Sequence, residues 1–147
     1  MDWINYFLGI AEQVKLKSKD QSTQIGCVIV GKDKEILSTG YNSFPRGLDD
    51  NRPERQERPL KYFYICHAEI SSIANAAKIG ISIDGCTMYL TSGSPCADCA
   101  RAVINAGIKK LYCKEVCTTK NKDKWGESQS IGLEMLKECG VDVIFYE

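Results

Sequence analysis

The chain has 147 residues, 44% of them hydrophobic and 26% charged, which suits a single globular domain and excludes a disordered segment. Nineteen basic residues balance nineteen acidic ones, so no nucleic-acid polymer is expected as partner, since binding its phosphates calls for a basic excess. No apolar run approaches the roughly 20 residues that cross a bilayer. Met1-Asp2-Trp3-Ile4-Asn5-Tyr6 lacks the basic start of a secretory signal, and the expected location is the cytoplasm.

Trp3, Phe7, Ile10 and Val14 recur at spacings of three and four, which predicts an amphipathic helix. A polar loop, Lys17 to Thr23, leads to two β-branched runs at Ile25 to Val30 and Glu35 to Thr39, joined by a hairpin turn at Gly31-Lys32-Asp33-Lys34. From Asn42 to about Lys61 the periodicity disappears, and three prolines and four arginines mark a long surface loop. Beyond it the pattern predicts a helix from His67 to Ile79, a strand from Cys86 to Thr91 and a helix from Pro95 to Ala106. A strand from Lys110 to Val116, a helix from Glu127 to Cys139 and a strand from Val141 to Tyr146 complete the chain. The order α-β-β-α-β-α-β-α-β implies one α/β domain over residues 1–147. Its mixed five-stranded sheet carries helices on both faces, a three-layer α-β-α arrangement.

Eight cysteines without a secretory signal point to metal binding or burial. Cys27, Cys66, Cys86, Cys113 and Cys139 lie in or beside apolar stretches and are expected to behave as small hydrophobes. Cys113 and Cys117 share one face of a strand, where burial is again the default over a second metal site.

Two short motifs concentrate the chemistry: His67-Ala68-Glu69 and Pro95-Cys96-Ala97-Asp98-Cys99. Each opens a predicted helix. Pro95 suits a first turn, Cys96 and Cys99 then lie one turn apart, and the positive end of the helix dipole favours their thiolates. With His67 they make three zinc ligands, leaving a fourth position for water, as catalytic rather than structural zinc sites do. Glu69 is near enough to take that water's proton and pass it to a bound substrate or its leaving group. His67 is the only histidine, so a structural four-ligand site would need a further cysteine or a carboxylate.

This pairing of H-x-E with P-C-x-x-C resembles the zinc-deaminase signature. Further segments resemble the deoxycytidylate deaminases of bacteria and phages over nearly the whole chain. They are residues 18–26 (SKDQSTQIG), 40–47 (GYNSFPRG), 58–62 (RPLKY), 85–90 (GCTMYL), 95–101 (PCADCAR) and 106–109 (AGIK). The resemblance implies a cytidine-deaminase-like fold, conversion of dCMP to dUMP for thymidylate synthesis, and a homo-oligomer, often a hexamer. It also implies activation by dCTP and inhibition by dTTP with Mg2+. Lys19, Ser22 and Thr23 are the expected phosphate cradle, Asn42 the deoxyribose contact, and Trp125 an aromatic that stacks on the pyrimidine. Ala68 and Ser94 complete the expected substrate wall. Arg46, Arg52, Arg55 and Arg58 are the candidate triphosphate ligands, and Asp49 and Asp50 the candidate magnesium ligands.

Two departures stand out: Ser43 follows Gly-Tyr-Asn where glycine is common, and Ile70-Ser71-Ser72 follows Glu69 where an asparagine is common. Both bear on substrate preference, and the extra histidines of a second zinc site are absent. The alternatives are the same zinc chemistry on tRNA adenosine, free cytidine or deoxycytidine, or a pterin or riboflavin precursor. A catalytically silent nucleotide-binding regulator is a further alternative.

Overall fold

The structure, a computed structural model, describes residues 1–115 and 124–147. Its centre is β1 (Gly26–Val30), a strand with all five residues buried. Continuous burial follows from covering both faces of the sheet, so the alternation of side chains sends each set into a different core. Val28 and Val30 meet Phe7 and Ala11 of α1 (Trp3–Val14), together with Tyr89 and Tyr112. Cys27 and Ile29 join the core on the opposite face. Helix α1 begins at Asp2, whose carboxylate accepts the Asn5 N–H at 2.7 Å, a side-chain N-cap.

Antiparallel pairing joins β1 to β2 (Ile36–Tyr41) on one side and to β3 (Thr87–Gly93) on the other. β4 (Lys110–Lys114) and β5 (Asp142–Tyr146) follow β3 in parallel, giving the order β2-β1-β3-β4-β5. The parallel pairs need crossovers. These are α4 (Ala97–Asn105), which packs beside α3 (Ala68–Ile79), and α5 (Lys124–Glu138), which packs beside α4. Ala68, Ala76, Ala100, Val103 and Leu136 from these three helices cover the Cys27–Ile29 face with Met88, Leu90 and Leu111. Thus α1 forms one outer layer and α3, α4 and α5 form the other.

Helix α3 lies unusually close to β2. A Cβ on Gly40 would fall 2.4 Å from the Ser72 nitrogen and 2.9 Å from the Ala68 carbonyl oxygen, so only glycine lets the helix settle there. Ser38 Oγ then donates to the Ser72 carbonyl at 2.7 Å, and Ser72 Oγ donates to the Glu69 carbonyl at 2.8 Å. Ser72 is fully buried, so its hydroxyl is part of the packing of α3 on β2.

The expected order of the main elements holds, with differences at their ends. The 42–61 loop contains a 3-10 turn at Pro53–Gln56 and leads into a four-residue helix, α2 (Lys61–Tyr64). Neither is long enough to show hydrophobic periodicity. Pro95 precedes the helix rather than opening it: Cys96 is the N-cap and Cys99 the third helical residue. Cys27, Cys86 and Cys113 are buried as expected and Cys66 is partly so, but Cys139 is exposed because it lies just beyond α5. Val116 and Cys117 lie outside the described residues.

Candidate functional site

His67 is placed by a short β-bridge. Ser43 N–H donates to the Cys66 carbonyl at 2.9 Å and Cys66 N–H donates to the Ser43 carbonyl at 2.6 Å, pinning the residue before His67 to the end of β2. His67 then acts as N-cap of α3, with extended backbone, and Glu69 follows in the first turn. Strand β3 delivers the other half of the site, since the chain leaves it at Gly93 and reaches Cys96 three residues later.

The donor atoms of His67, Cys96 and Cys99 lie within 4.8 Å of one another. His67 Nδ1 is 3.2 Å from Cys99 Sγ and 3.6 Å from Cys96 Sγ. A tetrahedral zinc with ordinary Zn–S and Zn–N bonds sets N···S edges of about 3.5 Å, so this donor set fits the metal in number, chemistry and spacing. Among the described residues it is the only cluster of three such donors.

The electrostatics suit a cation. Cys96 and Cys99 titrate together, a shared proton holding Cys96 well below the ordinary thiol value and Cys99 far above it. The Cys96 hydrogen bond also raises His67, with the Glu69 carboxylate adding to it. Burial pushes the Glu69 carboxyl above its ordinary value, and the group is 5% exposed. A divalent ion would replace the shared proton with both thiolates bound.

Two cavities meet at this cluster. The first, about 270 Å3, is lined by His67, Glu69 and Cys96 together with Asp20, Thr23, Asn42, Arg58, Lys61, Ser94 and Gln129. The second, about 640 Å3, shares His67 and Cys96 but is not lined by Glu69. A reacting group has to meet both the ligand cluster and a proton carrier, so the smaller cavity is the candidate active site.

The sequence-derived residues divide around it. Thr23, Asn42 and Ser94 line the cavity. Lys19 does not: its ammonium is turned to Asp50 at 3.1 Å. Ser22 is exposed and its N–H donates to Asp20 Oδ1 at 2.8 Å. Ala68 is fully buried beneath the wall. The backbone of Trp125 lies in α5, and its side chain lies outside the described residues. Asn42 is buried and its amide is heavily used: Oδ1 accepts the Ile25 N–H at 2.8 Å, while Nδ2 donates to the Thr23 carbonyl at 2.7 Å and to Asp20 Oδ2 at 3.3 Å.

Sequence reasoning missed Asp20 and Lys61. Lys61 Nζ donates to Asp20 Oδ1 at 2.8 Å, and the two side chains are 6% and 5% exposed. Burial alone would raise the Asp20 carboxyl. The Lys61 ammonium and the Ser22 and Thr23 N–H groups outweigh it and hold the group below its ordinary value. The Ser22 and Thr23 amides, in the expected phosphate cradle, thus turn inward onto a carboxylate.

The arginines separate as well. Arg46 donates to Asn75 Oδ1 at 2.7 Å, Arg52 to Asp49 Oδ2 at 3.2 Å, and Arg55 to the Asp49 carbonyl at 2.6 Å while lying over the Tyr64 ring. Arg58 reaches the cavity rim above Tyr62.

Residues 1–115, which hold this entire ligand cluster, match the family model for the cytidine and deoxycytidylate deaminase zinc-binding region. The chain belongs to that family. It is 38% identical over 141 residues to an "Uncharacterized deaminase in luxG 3'region" of Aliivibrio fischeri, covering 96% of this chain and 91% of that one. It is 36% identical over 116 residues to human deoxycytidylate deaminase, covering 76% of this chain and 64% of the human protein, so it spans under two thirds of that relative's length. The crystal structure of dCMP deaminase from the cyanophage S-TIM5 in complex with dCMP and dUMP superposes with a TM-score of 0.75 at 27% identity. That alignment covers 97% of this chain and 95% of the other.

Proposed function

We propose that this protein hydrolyses dCMP to dUMP and ammonia at the cavity lined by His67, Glu69 and Cys96. The observation that carries the reading is the placement of Glu69, buried and raised, beside a three-donor zinc site that faces the same cavity. His67, Cys96 and Cys99 would hold zinc, which when bound would supply a water of lowered pKa as the nucleophile. As the attacking water's oxygen bonds to C4, Glu69 takes one of its protons and passes it to ring N3; the remaining hydroxyl proton is the one it moves next. Glu69 gives that proton to the exocyclic nitrogen, so that ammonia leaves as the C4–N bond breaks. Burial raises the Glu69 carboxyl above its ordinary value, which makes it a stronger base than an exposed carboxylate.

The rim supports a monophosphate. Of its two basic side chains, Lys61 is committed to Asp20, whereas Arg58 forms no ion pair among the described residues. A guanidinium–phosphate hydrogen bond contributes about 1.5–3 kcal/mol, roughly 10- to 150-fold in affinity. Arg58→Ala is therefore expected to raise KM for dCMP by about that factor, with deoxycytidine turnover unchanged. Steady-state kinetics on both substrates checks it, and equal losses on both would remove Arg58 from phosphate binding.

The reading extends to regulation, assembly and location. Arg52 and Lys19 neutralise Asp49 and Asp50, and a dCTP or dTTP triphosphate drawing those cations away would free both carboxylates for Mg2+. The same dCMP assay with each nucleotide and magnesium tests this, dCTP accelerating turnover and dTTP slowing it. Trp3, Phe63, Ile79 and Ile131 leave apolar surface exposed, which supports a homo-oligomer such as a hexamer. Seven free cysteines among the described residues favour the reducing cytoplasm, and no helix there is long and apolar enough to cross a membrane.

A further inference from the structure

The backbone of Cys96 is held on both sides by a helix that carries no ligand. Cys96 caps α4 with φ −64° and ψ 169°, yet its side chain makes no capping hydrogen bond. An N-cap side chain ordinarily accepts from an amide of the first turn. The first amide of α4, Ala97 N–H, which an N-cap side chain does not reach, donates to Ser128 Oγ of α5 at 2.9 Å. One turn along α5, Gly132 lies against the same stretch. A Cβ there would sit 2.6 Å from the Pro95 carbonyl oxygen, 3.1 Å from the Cys96 carbonyl carbon and 3.2 Å from its oxygen.

Residues four apart share a helix face. One face of α5 therefore offers an acceptor to the peptide after Cys96 and a gap for the carbonyl of the peptide before it. These two peptide groups fix the Cys96 backbone angles, and with them the position of Sγ relative to His67 Nδ1 and Cys99 Sγ.

We propose that Ser128 and Gly132 are positioning residues for the metal ligand Cys96, holding its sulfur at the tetrahedral corner that zinc requires. The proposal rests on the zinc reading of the site and assigns α5, the crossover between β4 and β5, a part in the metal centre. Without Ser128 Oγ the Ala97 N–H loses its partner and the peptide after Cys96 is released. With a side chain at position 132 the Pro95–Cys96 segment is displaced outright.

The test compares the full-length wild type with Ser128→Ala, Ser128→Thr and Gly132→Ala. Zinc affinity is read by competition with a chromogenic chelator, and ligand geometry by the absorption of the Co2+-substituted forms. Ser128→Ala and Gly132→Ala are expected to bind zinc about 10- to 100-fold more weakly, the range for lost supporting contacts around a metal. Both should shift the cobalt–thiolate bands, while Ser128→Thr, which restores the hydroxyl, should recover affinity and spectrum. Wild-type zinc affinity and an unchanged cobalt spectrum in Ser128→Ala would overturn the proposal, whatever its melting temperature. Failure of Ser128→Thr to recover either property would do the same. If Gly132→Ala does not fold, the two Ser128 variants decide. A wild-type chain that binds no zinc would instead overturn the metal-site reading itself.

Discussion

Glu69→Gln is expected to lower kcat on dCMP by at least about 10²- to 10⁴-fold while one zinc stays bound per chain. The side chain moves two protons in the proposed reaction, one to ring N3 and one to the departing nitrogen, and an amide of the same shape moves neither. His67, Cys96 and Cys99 are untouched by the change, so metal content separates a lost proton carrier from a lost site. Steady-state rates and elemental zinc analysis on the same preparation provide the check. Turnover within a few fold of wild type would assign the proton transfers to another group.

Lys61→Met should be the most damaging substitution for stability outside the apolar core. It leaves the Asp20 carboxylate buried without its cation, and breaking a buried pair from one side costs about 3–5 kcal/mol. Adding Asp20→Asn removes the stranded charge and should recover a large part of that loss. The pH dependence follows from the depressed Asp20 carboxyl. In the wild type its contribution is fully present above the ordinary value of 3.8 and is lost as pH falls through the lower folded value. Without Lys61 the carboxyl loses two of the causes that lower it and rises from its wild-type value, so the deficit of Lys61→Met should shrink as falling pH protonates it. Denaturant titrations of the two single variants and the double variant, at neutral and acidic pH, measure the coupling. Additive losses would show that the pair contributes no more than its separate members. Because Asp20 also gathers the Ser22 and Thr23 amides and the Asn42 side chain, Lys61→Met should raise KM for dCMP as well.

What could be read from the sequence was what is local along it. His67 and Glu69 are two residues apart and Cys96 and Cys99 three, so helix geometry alone places each pair, and alternating strands and helices bring the pairs together. The strand order adds only which helices share a face. The Asp20–Lys61 pair joins residues 41 apart, and neither end has a mark of its own: a lysine before an aromatic run reads as a solvated surface residue. The same limit bears on the phosphate assignment. Lys19, Ser22 and Thr23 look like a cradle when read as a loop, but a buried carboxylate at Asp20 turns two of their amides inward and Asp50 takes the lysine. Arg58 was grouped with the other loop arginines, and only the fold separates it, carrying it to the cavity rim. Ser128 and Gly132 are likewise silent in sequence. A serine and a glycine in a helix announce nothing until the Pro95–Cys96 backbone is laid against them.

The central claim is a zinc-dependent deamination of a cytosine nucleotide, and it is tested most directly by giving dCMP to the purified chain before and after its metal is removed. Zinc content, loss of cytosine absorbance and released ammonia are followed together. The account predicts about one zinc per chain, one ammonia per dUMP formed, no turnover after chelation and recovery on adding zinc back. A zinc-loaded chain that leaves dCMP unchanged, or one whose turnover survives complete removal of the metal, would contradict it.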